Sequence, residues 1–124
     1  MKLLDSSAWV EYFKGTPTGS NVKKILEEGA ATSAISLAEI AKWAQENGAE
    51  VIPIITQMKK NAIVISLEEP ILIESGKQYI RLRKIQKSIG MIDVIIYITA
   101  LIHGLQLITT DNDFRGLPET EFLK

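Results

Sequence analysis

No cysteine occurs in this chain. Disulfides and thiolate-held zinc or iron–sulfur centres are therefore excluded, and an intracellular location is compatible with the composition. Histidine is almost as scarce. His103 stands alone and is followed by Gly104, so it reads as an end-of-helix residue complementing the helix dipole rather than as a catalytic base. Long hydrophobic runs are also missing. The longest candidate, residues 94–102, ends at His103-Gly104, well short of the roughly 18 residues that suggest a membrane span. The opening Met1-Lys2-Leu3-Leu4-Asp5 meets an acid too early for the apolar region of a signal peptide. The expectation is a soluble, cytoplasmic protein.

What is present suits one compact domain over residues 1–124, with 46% hydrophobic and 23% charged residues. A formal net charge of −1 looks unsuited to a polyanionic partner. Setting aside Asp5, Glu39, Asp93 and Asp111, singled out below, leaves 14 basic against 11 acidic side chains. Lys77, Arg81, Arg83, Lys84 and Lys87 also crowd into residues 76–88, which contain no acid. Charge therefore does not exclude nucleic acid.

The apolar pattern alternates strands with helices. Residues 2–5 read as a buried strand, followed by a helix to about Lys14 with Ser6 or Ser7 as N-cap and Trp9 and Phe13 on one face. Residues 15–20 read as a loop, with Ser20 capping a helix to Glu28. A strand over residues 31–35 precedes a helix opened by Ser36, where Glu39 completes a capping box and Asn47-Gly48 ends it. A helix over residues 51–60 carries Pro53 in its first turn. Residues 62–66 read as a buried strand and 70–87 as a long helix bearing the basic cluster. Residues 92–103 form a helix apolar almost all round, expected to be buried on more than one side. Residues 105–110 form another strand, and 120–123 an edge strand. The pattern predicts a three-layer α/β/α domain with a mainly parallel central sheet.

Four acids are set against apolar stretches, where an ionised carboxylate needs compensation. Asp5 and Asp111 fall at the carboxyl ends of predicted strands, the rim where open parallel sheets bind ligands. Glu39 and Asp93 fall early in helices that can reach the same rim. Alternation points Thr109 and Asp111 to one face, and Asp113 is a plausible fifth acid. Hard carboxylate oxygens suit Mg2+ or Mn2+, and such an ion can drive phosphodiester hydrolysis. Taken singly, Glu39 is equally well a capping-box partner and Asp93 a first-turn acid favoured by the dipole. Asp113 taken alone reads as a loop or N-cap residue.

Together these residues resemble the PIN-domain ribonucleases, and in particular the VapC toxins of type II toxin–antitoxin pairs. The resemblance rests on Leu3-Leu4-Asp5-Ser6-Ser7, on Ser36-Leu37-Ala38-Glu39, on Gly90-Met91-Ile92-Asp93-Val94-Ile95-Ile96 with Ala100, and on residues 107–114, Leu-Ile-Thr-Thr-Asp-Asn-Asp-Phe. Order, spacing and chain length agree. It implies a PIN-like fold and endonucleolytic RNA hydrolysis with Mg2+ or Mn2+. It also implies that Asp5, Glu39, Asp93 and Asp111 are the metal-binding acids, with Ser6 and Thr109 as polar neighbours. A homodimer and a small cognate antitoxin protein covering the groove are implied as partners. The bulky Tyr97 and Ile98 depart from the small residues relatives often carry there.

Arg81, Lys84 and Lys87 are candidate contacts to the RNA backbone, although a run of charge is also what a solvated helix face looks like. Trp9, Tyr12 and Phe13 suit either a partner surface or core packing, and Trp43 either the groove wall or the core. A PIN nuclease of RNA processing or DNA repair is the alternative reading. A phosphoacceptor receiver fits poorly, because Asp5 is followed by Ser6-Ser7 and the strand near residues 62–66 ends without an Asp.

Overall fold

The computed structural model describes residues 1–123. Among them five strands form one sheet in the order β3-β2-β1-β4-β5, and every adjacent pair is parallel. The strands are β1 (Lys2–Leu4), β2 (Ala30–Ser33), β3 (Ile63–Ile65), β4 (Gln106–Thr109) and β5 (Thr120–Phe122). The helices are α1 (Ser6–Lys14), α2 (Pro17–Glu28), α3 (Ala34–Glu46), α4 (Val51–Asn61), α5 (Glu69–Ile85) and α6 (Met91–Ile102).

Strand alternation divides the interior between two faces. Leu4 and Ile108 pack with Trp9, Val22, Ile40 and Met58 from α1 to α4. Leu3 and Leu107 pack with Ile71, Leu82, Val94 and Tyr97 from α5 and α6. This is the expected sandwich of helices about a parallel sheet. Trp9 is fully buried, and its indole N–H donates to Thr32 Oγ1 at 3.0 Å. Phe13 stacks on both Trp9 and Trp43, so these aromatics tie α1 to α3.

Several helix starts differ from the sequence reading. Asp5, rather than Ser6 or Ser7, caps α1 by accepting from the Ala8 N–H. Thr16, rather than Ser20, caps α2, because Pro17 has the fixed φ suited to the first helical position. Ser33 caps α3, so that helix begins three residues early and Ser36-Glu39 is not its capping box. No loop separates β2 from α3, and the last strand residue takes the capping role. Gly19 is buried where α2 crosses α1; a Cβ there would stand 2.2 Å from the Glu11 carbonyl oxygen.

β3 is less buried than expected, with Ile63 58% exposed, because it has only β2 beside it. The largely apolar α6 buries its middle, residues Val94 to Ala100 apart from the half-buried Ile95. Met91, Ile92, Leu101 and Ile102 at its ends remain exposed. No helix among the described residues is long and apolar enough to cross a membrane.

Candidate metal centre

The acids gather at the carboxyl rim of β1 and β4. Asp5 immediately follows β1 and is buried, where its carboxylate accepts three hydrogen bonds. The Ala8 N–H (3.0 Å) and the Ser7 hydroxyl (2.7 Å) donate to Oδ1, and the Thr109 hydroxyl donates to Oδ2 at 2.5 Å. Thr109 Oγ1 in turn accepts the Asp111 N–H at 2.9 Å. The end of β4 is thereby locked to the start of α1.

Asp93 lies in the first turn of α6 and accepts the Gly90 N–H at 3.3 Å. The position is favoured by the helix dipole, and the bond is one-sided, because Gly90 has no side chain to return it. Asp111 Oδ1 accepts the Asp113 N–H at 2.9 Å, opening a single 3-10 turn over Asn112–Phe114. Carboxylate oxygens of Asp93, Asp111 and Asp113 all lie within 4.8 Å of one another. Asp113, reached only as a fifth acid from sequence, is thus a member of the tightest group. Its carboxylate also accepts the Ser88 hydroxyl at 2.6 Å.

Glu39 is freed from capping by the early start of α3, and its Oε1 accepts the Ser6 hydroxyl at 2.5 Å. Glu39 is close enough to Asp93, and Asp111 close enough to Asp5, to oppose their ionisation. The five acids therefore form one electrostatic unit, in which Asp5 and Glu39 border the trio. Burial pushes the Asp5 carboxyl up to about 7 despite its three donors, with Asp111 adding repulsion. Burial also raises Asp93 to about 6, reinforced by Asp111, Asp113 and Glu39 and opposed by the Gly90 N–H.

Among the described residues no lysine or arginine forms an ion pair with these acids. The ion pairs among the described residues, Lys2–Glu121, Lys42–Glu46 and Lys77–Glu74, all lie elsewhere. A half-buried, all-oxygen donor set without a cationic partner fits a hard divalent cation.

The basic candidates divide. Lys84 and Lys87 are exposed on α5 and just beyond it. Arg81 does not join the acidic rim. It lines a cavity of about 300 Å³ between α5 and α6 with Ile98, Leu101 and Ile102, at the end of α6 remote from Asp93. Ser7 and Ser88 hold Asp5 and Asp113; the sequence offers Ser7 only as a candidate N-cap and gives Ser88 no role. An Asp followed two residues later by Ser at a strand end is a usable signal for Ser7, whereas Ser88 offers none, since it lies 25 residues from its partner.

No curated protein sequence matches the chain. Solved structures do. A toxin–antitoxin complex from Klebsiella pneumoniae matches with a TM-score of 0.74 at 25% identity, covering 98% of this chain and 96% of that one. A VapBC complex from Rickettsia felis, bound to a DNA fragment from its promoter, gives 0.76 at 18% identity over 99% and 98%. A Mycobacterium tuberculosis VapC toxin, described as cleaving the sarcin–ricin loop, gives 0.73 at 13% identity over the whole of both chains. The PIN domain family model matches residues 2–119, a span of nearly the full length within which all five acids fall, and the chain belongs to the PIN-domain family.

Proposed function

We propose that this protein is a metal-dependent endoribonuclease and the toxin of a toxin–antitoxin pair. The observation that carries the reading is the convergence of Asp93, Asp111 and Asp113 within 4.8 Å, in a PIN domain, with no basic side chain among the described residues paired to them. In this reading Asp5, Glu39, Asp93 and Asp111 hold Mg2+ or Mn2+, and Asp113 completes the set. The bound ion supplies Lewis acidity at the phosphate and acidifies the attacking water.

The chain's own residues pre-orient that site. Oδ1 of Asp5 is occupied by two donors, so Oδ2 keeps the free lone pair. Ser6 fixes Glu39 in the same way. The partners are an RNA substrate, a small antitoxin protein and a second copy of the chain. The antitoxin is supported by toxin–antitoxin complexes among the similar structures.

The test is cleavage of single-stranded RNA by purified protein in Mn2+, with EDTA as control, alongside growth of cells expressing the chain with and without the gene preceding its own. Cleavage that survives EDTA removes the metal. Intact RNA in Mn2+ together with unimpaired growth overturns the reading.

A further inference from the structure

The acidic rim has one cation fixed beside it. Arg115 follows the 3-10 turn that carries Asp113, yet it forms no ion pair among the described residues. Its Nε donates instead to Asn112 Oδ1 at 3.1 Å, and its guanidinium carbon sits 4.1 Å from the centroid of the Phe122 ring. Stacking and one hydrogen bond fix the plane of the guanidinium. Both terminal Nη groups remain available on an exposed side chain.

Its location follows from strand register. Phe122 pairs with Thr109, the residue whose hydroxyl reaches Asp5, and adjacent strands lie about 4.8 Å apart. Paired residues project to one face. Phe122 packs on the α5–α6 side of the sheet, the side on which α6 carries Asp93. Asn112 binds this corner to the loop after α5, because its carbonyl accepts from Gln86 Nε2 at 3.3 Å. Lys87 follows Gln86 in that loop. Arg115 thus lies two residues after Asp113, and Lys87 is the chain neighbour of Ser88, which holds Asp113.

We propose that Arg115, with Lys87, grips the backbone phosphate next to the one at the acidic centre and so sets where the substrate strand lies. A planar, pre-oriented fork suits bidentate phosphate recognition. This rests on the ribonuclease reading.

The test uses the full chain carrying Asp93→Asn, chosen to stop cutting while leaving binding measurable, and a fluorescein-labelled RNA of about twelve nucleotides titrated in Mn2+ at several KCl concentrations. Adding Arg115→Ala should weaken binding about tenfold at low salt and reduce the salt slope by about 0.7. Arg115→Lys should restore the slope but only part of the affinity. Phe122→Leu, which keeps the charge and removes the stacking platform, should weaken binding with the slope unchanged. If Asp93→Asn binds RNA and Arg115→Ala binds it equally well with the same slope, the inference falls alone. If Asp93→Asn binds no RNA and the unmodified protein cuts none, the ribonuclease reading falls and takes the inference with it.

Discussion

Thr109 donates its hydroxyl hydrogen to Asp5 across 104 residues of chain, at 2.5 Å and out of contact with solvent. The same oxygen receives the Asp111 N–H. One side chain therefore sets the position of a buried carboxylate and the direction in which the backbone leaves β4 toward Asp111 and Asp113. The acidic centre is assembled by a hydroxyl rather than by the acids, which repel one another.

Thr109→Val keeps the shape and removes both hydrogen bonds. It should destabilise the fold by about 1–3 kcal/mol, the usual cost of leaving buried polar groups unpaired, while Thr109→Ser should stay close to the unmodified protein. Urea denaturation of the metal-free protein measures this. A loss for Thr109→Val below about 0.5 kcal/mol, the scale of an ordinary surface change, would mean that water replaces the hydroxyl and that the lock is not structural.

Much of this arrangement was legible in the sequence. Apolar strands alternating with helices gave the layered parallel sheet, and acids at strand ends gave Asp5 and Asp111 their rim position. Helix starts are less legible, because Asp, Ser and Thr compete locally for each cap: Asp5, Thr16 and Ser33 prevail over Ser6, Ser20 and Ser36. With the cap at Ser33, Glu39 is free to reach Ser6. Arg81 was legible as a basic residue on a helix but not as one turned toward Ile98 and Leu101, since charge runs carry no information about helix rotation. Ser88 and Asp113 meet only through the tertiary fold.

Gly19 permits α2 to cross α1 at backbone contact. Gly19→Ala should be destabilising by about 1–3 kcal/mol, in the range of overpacking, because the added Cβ meets the Glu11 carbonyl oxygen, which is held in its helix and cannot swing aside. The metal-binding midpoint for Mn2+ should not change, as the site lies at the sheet rim. Equal thermal midpoints for the two proteins would show that the hairpin opens freely and that the close approach is not required.

Asp93 and Asp5 should differ in their effect on stability and agree in their effect on activity. Asp93→Asn removes a carboxylate opposed by Asp111, Asp113 and Glu39, so the metal-free protein should melt at the same temperature or higher. Asp5→Asn presents an amide where Ser7 and Thr109 both donate, and should cost stability. Both should reduce Mn2+-dependent RNA cleavage at least a hundredfold, on the scale of losing a group that holds transition-state charge. Differential scanning fluorimetry and a cleavage assay check the pair. Undiminished cleavage by either variant removes that acid from the site.

Proton linkage gives the last prediction its sign. Asp5 and Asp93 titrate at about 7 and about 6 in the folded chain, above the value near 4 of an unfolded Asp. Between about pH 4 and pH 7 the folded state binds more protons than the unfolded state, so its stability falls as pH rises through that window. A melting temperature followed in EDTA should therefore decline from pH 5 to pH 8. On the proposed reading Mn2+ would bind the ionised carboxylates and compete with those protons. Its stabilising shift should be small at pH 5 and largest near pH 8, where the repulsion it relieves is greatest. A metal-induced shift that is constant with pH would mean that the ion binds away from Asp5 and Asp93, and a metal-free profile that rises from pH 5 to pH 8 would place both carboxyls in an environment unlike the one described.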